Sequence, residues 1–188
     1  MQRTDLKNSE ILVGNTIYLK QLIDNDVSEK YLNWLKDISI NKYLESRDLN
    51  HTKESIRSFV INCYKSKNDY LFGIFTKEGQ EHIGNIKLGD IDWKNKNANI
   101  GIIIGEKNFW GQGIASNAIK LITEFAFQNL KLTSLSAGCY EENIASRKAF
   151  LKSGWNLSGK YPKWKLNHVQ STLHYVQLYL IQVLLVQD

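Results

Sequence analysis

Short apolar runs and alternating apolar and polar positions predict β-strands at seven places in the chain. The first of these segments, Asn15–Leu22, is rich in β-branched and aromatic residues, which favour extended backbone. The run Ile100–Ile104 consists of isoleucine and a single glycine, and it predicts a central strand buried on both faces. The predicted strands are Asn15–Leu22, Tyr70–Thr76, His82–Leu88, Ala98–Ile104, Thr133–Cys139, Trp155–Tyr161 and Leu173–Ile181.

Four other segments repeat apolar residues at the period of an α-helix. Asp24 and Thr52 are the predicted N-caps of the first two, because short polar side chains accept hydrogen bonds from the free N–H groups of a first turn. Gly154 is expected just beyond the end of the last helix. The predicted helices are Asp24–Lys36, a segment from Thr52 through Cys63, Gly113 to about Asn129, and Asn143–Lys152.

In chain order the predicted elements run β-α-α-β-β-β-α-β-α-β-β. This order predicts an α/β (α+β) fold, with a mixed sheet of about seven strands and helices on both faces. Residues 1–12 are polar without a clear period and are expected to form an N-terminal extension. Residues 13–188 are expected to form a single domain, since neither a repeat nor a linker divides them.

The 188 residues carry a formal net charge of +5. The lysines are scattered, so a solvated surface explains the charge, and a phosphate-rich small ligand is the alternative. Nucleic-acid binding is not expected, because the aromatic residues do not interleave with a basic stripe.

Met1–Glu10 has no apolar core of a signal peptide, and no apolar run is long enough to span a bilayer. We therefore expect a cytoplasmic protein that does not cross the membrane. The cysteines and histidines lack the spacing of metal ligands, so reduced thiols and no metal site are expected.

A Gly-x-Gly turn joins the strand ending at Ile104 to the helix that begins at Gly113. Gly111 and Gly113 permit a sharp turn and a close approach of a ligand to the backbone. The first turn of the helix adds unpaired N–H groups and a partial positive charge, which suit a diphosphate. A Walker loop is excluded because no Lys-Ser/Thr pair follows, and the dinucleotide fingerprint lacks its third glycine.

This loop, Trp110-Gly111-Gln112-Gly113-Ile114-Ala115, resembles the acetyl-CoA signature of the GNAT superfamily of N-acetyltransferases. It is similar to the Trp-Gly-x-Gly-x-Ala version of the branch that acetylates ribosomal-protein N-termini. A second family motif is matched by Asn143-Ile144-Ala145-Ser146 with Lys152-Ser153-Gly154-Trp155. The resemblance implies the GNAT fold, a mostly antiparallel twisted sheet, and acetyl-CoA as the acyl donor.

In this family the fourth and fifth strands splay apart, and the pantetheine arm of the cofactor lies in the gap. The resemblance implies that an N–H near Ile104 or Gly105 polarises the thioester carbonyl. It also implies a role for Asn143 beside the pantetheine, although an Asn at this position also suits a plain helix cap. The implied cofactor-binding residues are Ile103, Ile104, Gly105, Gly111, Gln112, Gly113, Ile114, Ala115, Ser116 and Asn143.

The chain departs from the family at two catalytic positions. Phe150 stands where a tyrosine acid is common, so Phe150 is expected in the core, with Ser146 or Tyr140 as substitutes for the acid. Asn99 stands where a glutamate base is common, and an amide cannot act as a base. Glu106, Glu141, Asp90, Glu45 or an ordered water are the remaining candidates for the base. The catalytic set is therefore predicted as Ser146, Tyr140 and Glu106.

The link between the first two predicted helices holds candidates for binding the acceptor. Glu45 suits an ammonium group and Arg47 suits a phosphate or carboxylate, while an ordinary surface ion pair is the alternative. The other wall is expected to include Tyr161, Trp164 and His168. The preferred function is acetylation of a small-molecule amine, with an amino sugar or nucleotide-linked amino sugar as the first choice. The alternatives are a protein N-terminal acetyltransferase and a non-catalytic acyl-CoA-binding module. Under each of these functions we expect a monomer or a homodimer.

Overall fold

The computed structural model describes residues 11–167 and 172–185. In this part of the chain, strands of one continuous sheet stand in the order β1-β2-β3-β4-β5-β6-β8-β7. The strands are β1 Ile11–Val13, β2 Ile17–Gln21, β3 Tyr70–Thr76, β4 His82–Asp92, β5 Asn97–Ile104, β6 Ser134–Tyr140, β7 Asn156–Asn167 and β8 Thr172–Leu184. The predicted mixed sheet is confirmed, with one more strand than expected, because Ile11 and Leu12 of the predicted extension pair with β2.

The helices are α1 Glu29–Lys36, α2 Ile38–Asn41, α3 Lys53–Lys65, α4 Ile114–Gln128 and α5 Ile144–Lys152. They cover both faces of the sheet, as alternate residues of β3 show. Tyr70, Phe72 and Ile74 pack in one core cluster with α4, whereas Leu71 and Phe75 pack with α1 and α3 in a second cluster. We call these the α4 face and the α3 face of the sheet. None of the helices in the described ranges is long and apolar enough to cross a membrane.

Neighbouring strands are antiparallel except for β5 and β6. This parallel pair is short, because only Asn97–Asn99 of β5 and Ser134–Ser136 of β6 are in register. Beyond Asn99 the two strands diverge, and β6 continues in register with β8 instead. A gap therefore opens between two central strands, at the end of β5.

The gap explains why one prediction about β5 was wrong. Ile100 is buried, but Gly101 is exposed and Ile102–Ile104 are only half-buried. A strand at the centre of a sheet is buried on both faces only where it is paired and covered on both sides. Since β6 has moved away, the isoleucines at the end of β5 line a cleft.

The N-terminal ends of two helices show how local polar groups set the boundaries. Thr52 caps α3 as predicted, and its hydroxyl accepts a hydrogen bond from the backbone N–H of Ser55 at 3.1 Å. The Asp24 prediction was wrong, because Asp24–Asp26 form a 3-10 turn and Ser28 caps α1 through the N–H of Tyr31. Asp26 accepts from the N–H of Ile23, which stabilises the turn ahead of the helix.

Candidate functional site

A cleft of about 770 Å³ occupies the gap at the end of β5. One wall is the strand end Ile102–Ile104 with the glycine loop that follows it, and the opposite wall is the start of α5. Residues from Ser39 to Leu44, in and after α2, close one end. The splayed strands and the glycine loop thus share one cavity, as the sequence motifs predict.

Backbone direction in β5 decides which amide groups face this cleft. The N–H of Gly105 donates to the carbonyl of Ile83 in β4 at 2.9 Å. Because alternate residues of a strand direct their N–H and C=O groups to opposite neighbours, Ile103 and Gly105 face β4, whereas Ile102 and Ile104 face the gap. Of the three predicted contributors, only Ile104 therefore presents its N–H to the cleft.

The glycine loop has the backbone geometry that requires glycine. Gly111 and Gly113 have φ angles of 75° and 77°, a region that strains other residues by about 1–2 kcal/mol. A Cβ at Gly111 would meet nothing within 4 Å, so the space beside the loop is open. The first backbone bond of α4 runs from Asn117 to Gly113, which leaves the N–H groups of the preceding turn without partners inside the helix.

Ile114, Ala115 and Ser116 supply these amide groups and line the cleft with Gly111 and Gly113. Gln112 is placed differently from the other members of the predicted set. Its side-chain amide donates to the carbonyl of Asn108 at 2.6 Å and braces the loop from outside. The loop can therefore bind a diphosphate through backbone groups, with Gln112 holding its shape.

Two lysines beside the loop were not predicted as binding residues. Lys148 and Lys152 lie one turn apart on α5 and both line the cleft. A Cβ built on Gly113 would lie 3.9 Å from the Nζ of Lys152. The i, i+4 spacing of these lysines was a visible signal, but it gains meaning only once α5 is placed beside α4. Together with the helix amides, these cations fit the phosphates of CoA.

Lys152→Met is expected to raise the KM for acetyl-CoA about tenfold and leave kcat within twofold, since a charge-assisted phosphate contact contributes about 1–2 kcal/mol. Steady-state kinetics at two salt concentrations would measure this, and the effect should shrink at high salt. Lys65→Met, on the surface of α3, removes the same charge and should change neither constant. Equal effects of the two substitutions would mean that only net charge matters.

An ion pair ties the wall around α2 to the loop after β5. The Nζ of Lys107 lies 2.6 Å from the carboxylate of Asp37, which also caps α2 through the N–H of Ser39. Bonds from Lys107 and Ser39 lower the pKa of the Asp37 carboxyl to about 2. Asp37 therefore stays ionised and links α2 to the loop after β5 over the physiological pH range.

Asn143 and Ser146 open α5 on the cleft wall. The side-chain oxygen of Asn143 accepts a hydrogen bond from the N–H of Ser146 at 3.1 Å, so the capping alternative is confirmed. Both residues also line the cleft. A contact of Asn143 with pantetheine and an acid role for Ser146 remain predictions.

The predicted acceptor residues gather around Tyr140 at the end of β6. The hydroxyl of Tyr140 donates to Glu45 at 3.0 Å, and the guanidinium carbon of Arg47 lies 5.9 Å from the centre of the Tyr140 ring. Tyr43, which lines the cleft, stacks on Tyr140 at 5.9 Å. Burial, and then the charge of Glu45, raise the pKa of Tyr140. The Tyr140 hydroxyl therefore keeps its proton and donates it in the hydrogen bond to Glu45. This bond suits Tyr140 to orient the Glu45 carboxylate.

The other carboxylates proposed as a base are engaged elsewhere. Glu106 accepts from the indole N–H of Trp34 at 2.8 Å and is not part of the cleft lining. Glu141 pairs with Lys160 at 2.7 Å, and Asp90 accepts from Asn99 at 3.4 Å. Glu45, which accepts from Tyr140, is also not among the residues that line the cleft, but it follows Leu44, which lines it. Catalytic roles for Glu106 and Glu45 remain predictions.

Two further predictions concern the core and the far wall. Phe150 is 2% exposed and packs on Trp155, so its predicted place in the core is confirmed. Tyr161 and Trp164 belong to β7, but their side chains and all of His168 lie outside the described part of the structure. Within that part, no group of three or more His, Cys, Asp or Glu residues is arranged to hold a metal ion.

An open glycine loop beside a gap between two splayed strands is the arrangement that an acyl-CoA-dependent transferase of the GNAT type requires. The family model described as "Acetyltransferase (GNAT) domain" matches residues 16–156, and the chain belongs to this family. The chain is 31% identical over 137 residues to the uncharacterised N-acetyltransferase p20 of Bacillus licheniformis, covering 71% of this chain and 74% of that protein. It is 26% identical over 152 residues to the uncharacterised N-acetyltransferase YoaA of Bacillus subtilis (strain 168), covering 79% and 84%. The chain is thus an acetyl-CoA-dependent N-acetyltransferase.

Solved structures share the fold at lower identity. A spermidine N-acetyltransferase from Vibrio cholerae, in complex with CoA and spermine, superposes with a TM-score of 0.77 at 18% identity, covering 90% of this chain and 95% of that one. RimL, a ribosomal L7/L12 α-N-protein acetyltransferase in complex with CoA, gives 0.77 at 20% identity, covering 93% and 98%. These likenesses confirm the GNAT fold and leave the acceptor open.

Proposed function

We propose that this enzyme transfers the acetyl group of acetyl-CoA to the primary amine of a small hydroxyl-bearing molecule, with an amino sugar or a nucleotide-linked amino sugar as the preferred acceptor. The observation that carries this proposal is a polar, glycine-containing surface on the α3 face of the sheet. It lies next to the gap, where the amine must arrive. Four residues define this surface, which we call the polar floor: Asn99, Gly101, Ser136 and Gly138.

The polar floor follows from the alternation of β5 and β6. Ile100 of β5 and Ala137 of β6 belong to the core cluster on the α4 face, so their neighbours along each strand point to the α3 face. Asn99, Gly101 and Gly138 are exposed there, and Ser136 is half-buried. Central strands are normally covered on both faces in a fold of this kind, so polar and glycine positions here suit a binding surface.

The chemistry of the polar floor favours an acceptor with hydroxyl groups. The Ser136 hydroxyl donates to the side-chain oxygen of Asn99, and Asn99 donates in turn to Asp90 at 3.4 Å. Amides and hydroxyls both donate and accept hydrogen bonds, as sugar hydroxyls do. A surface for a polyamine would instead need several carboxylates to balance its charge.

Glu45 is placed to receive the amine of such an acceptor. Tyr140 ends β6 four residues beyond Ser136, and Ile103 lies four residues beyond Asn99, the partner of Ser136 and the last residue of β5 paired with β6. Tyr140 holds the carboxylate of Glu45 at this level. Glu45 can thus bind the ammonium group near the N–H of Ile104. An ammonium nitrogen has no lone pair, so it first loses one proton to solvent. The neutral amine then bonds to the acetyl carbon, the C–S bond breaks, the nitrogen loses a second proton and the CoA thiolate gains one.

The neighbouring cations suit the diphosphate of a nucleotide-linked sugar. Arg47 donates to the carbonyl of Lys42 at 2.7 Å, and Lys42 lies in the lining of the cleft. Arg47 also lies 3.6 Å from Asp48, as in the ion-pair alternative, but arginine can bind phosphate through its other N–H groups, and Lys42 adds a point charge. These two residues favour a phosphate-bearing acceptor over a neutral free sugar.

Thiol release from acetyl-CoA across a panel of amines would test the proposal. Amino-sugar nucleotides, free amino sugars, polyamines, aminoglycosides and short peptides are the acceptors to compare. We expect the largest kcat/KM with an amino-sugar nucleotide, and a loss of at least about 30-fold in Glu45→Gln, since an ion pair in a cleft contributes about 2 kcal/mol. Turnover of peptides alone would identify a protein N-terminal acetyltransferase. Tight acetyl-CoA binding without turnover of any amine would support the non-catalytic module.

A further inference from the structure

Two tryptophans contact the end of β5 from different directions. The indole N–H of Trp110 donates to the carbonyl of Ile104 at 2.9 Å from the cleft side. On the α3 face, Trp34 of α1 is 3% exposed, and its ring lies so close to Gly105 that a Cβ there would overlap its atoms. The peptide that follows Ile104 is therefore in contact with an indole on each side.

Glu106 fixes the buried tryptophan. Its carboxylate accepts the indole N–H of Trp34 at 2.8 Å. The backbone N–H groups of Gly105 and Glu106 both donate to the carbonyl of Ile83, at 2.9 and 3.2 Å. One residue thus ties α1 to the point where β5 leaves the sheet.

The other groups around Trp34 leave Glu106 as its hydrogen-bonding partner. His82 of β4 contacts the indole ring in an edge-on arrangement, with centroids 5.0 Å apart. Burial lowers the pKa of the His82 side chain, so the ring packs as a neutral group. Lys30 lies 3.3 Å from the same Glu106 oxygen that accepts the indole N–H, and it also pairs with Glu81.

We propose that Trp34 and Glu106 form a positioning pair for acetyl transfer. The pair rests on the acetyl transfer proposed above and on the role that the GNAT resemblance implies for the N–H of Ile104, which is to polarise the thioester carbonyl. That N–H can polarise the carbonyl only if the end of β5 is held in a fixed direction. Because β6 no longer pairs with β5 at this point, another element must hold the strand end. The indole of Trp34, locked by Glu106, packs on Gly105 from the α3 face and holds the strand end there.

This role separates Glu106 from a general base. A base would need its ionised carboxylate, whereas a positioning residue needs only an acceptor oxygen for the indole N–H. Glu106→Gln keeps such an oxygen and Glu106→Leu does not. Trp34→Phe keeps an aromatic ring beside Gly105 and removes the donor.

The test uses the infrared carbonyl stretch of acetyl-CoA labelled with ¹³C at the thioester carbonyl, which needs no acceptor. In the native enzyme the bound stretch should lie below that of free acetyl-CoA, because a hydrogen bond weakens the C=O bond. Glu106→Leu and Trp34→Phe should lose most of this shift while the Kd stays within about threefold. With the best acceptor, kcat should fall about tenfold at unchanged KM, since displacement of a catalytic group by about 1 Å has large kinetic effects. Glu106→Gln should restore both readouts to within about twofold of native.

Lys30→Met is the matched control, because it removes the ion pair to Glu106 and keeps the indole bond. It should leave the stretch and kcat within about twofold of native. The positioning pair is refuted if the native shift of the carbonyl stretch persists in Glu106→Leu and Trp34→Phe. It is also refuted if Glu106→Gln loses as much activity as Glu106→Leu. A native enzyme that shows no shift would instead refute the assigned role of Ile104. A shift without turnover of any amine would sustain the pair and overturn only the proposed acceptor.

Discussion

Acetyl-CoA should bind Gly113→Val at least about 100-fold more weakly than it binds the native enzyme. Two effects add at this position. The φ angle of 77° strains a β-branched residue by about 1–2 kcal/mol, and the loop can relieve this strain by moving its N–H groups. The new side chain also occupies open space beside the helix N-terminus that the diphosphate needs. Together the two effects should reduce the binding free energy of acetyl-CoA by about 3 kcal/mol or more, and titration calorimetry would measure this loss.

Gly79→Val provides a control with the same backbone strain. Gly79 lies in the hairpin between β3 and β4 with a φ angle of 75°, and a Cβ there would meet nothing within 4 Å. Its substitution should lower the melting temperature by a similar amount and leave the Kd for acetyl-CoA unchanged. If both variants bind acetyl-CoA as the native protein does, the loop is not the diphosphate site.

Gly101→Leu should lower kcat/KM for the acceptor about 50-fold and leave acetyl-CoA binding within twofold. A Cβ at Gly101 would meet nothing within 4 Å, so the fold should tolerate the substitution. The side chain would extend over the polar floor beside the gap and exclude the acceptor, at a cost of about 2 kcal/mol. Initial rates over a range of acceptor concentrations, with calorimetry for acetyl-CoA, would measure the two effects separately.

A size series at the same position makes this test sharper. Gly101→Ala adds only a methyl group and should reduce kcat/KM by about threefold, between native and Leu. Circular dichroism melts of both variants would show whether the strand is intact. Unchanged acceptor kinetics in a folded Gly101→Leu would show that the acceptor does not cross the polar floor, and the hydroxyl-rich acceptor would lose its main support.

Local sequence determined much of the fold because several of its signals act over only a few residues. The bounds of β3, Tyr70–Thr76, match the prediction. A strand that is covered on both faces has apolar residues at consecutive positions, so the apolar run in the sequence marks where the strand begins and ends. The Thr52 cap and the glycines of the loop could also be predicted, because a cap hydroxyl and a positive φ angle each restrict the residue type at one position. The Asp24 cap was wrong because two nearby residues, Asp26 and Ser28, offer similar side-chain acceptors. Only the observed turn distinguishes them.

The cleft itself depended on tertiary structure. Contacts such as Tyr140 with Glu45 and Trp34 with Glu106 join residues 95 and 72 positions apart, and no local pattern specifies such pairs. The same holds for Lys152 beside Gly113. The sequence alone determined the order of the longer elements, the glycine loop and the family, because these depend on backbone conformation and short-range hydrogen bonds. It did not predict β1 or the short helix α2. Only the tertiary structure decided which amide faces the gap and which carboxylate stands beside it, because the divergence of β5 from β6 is set by packing across the whole sheet.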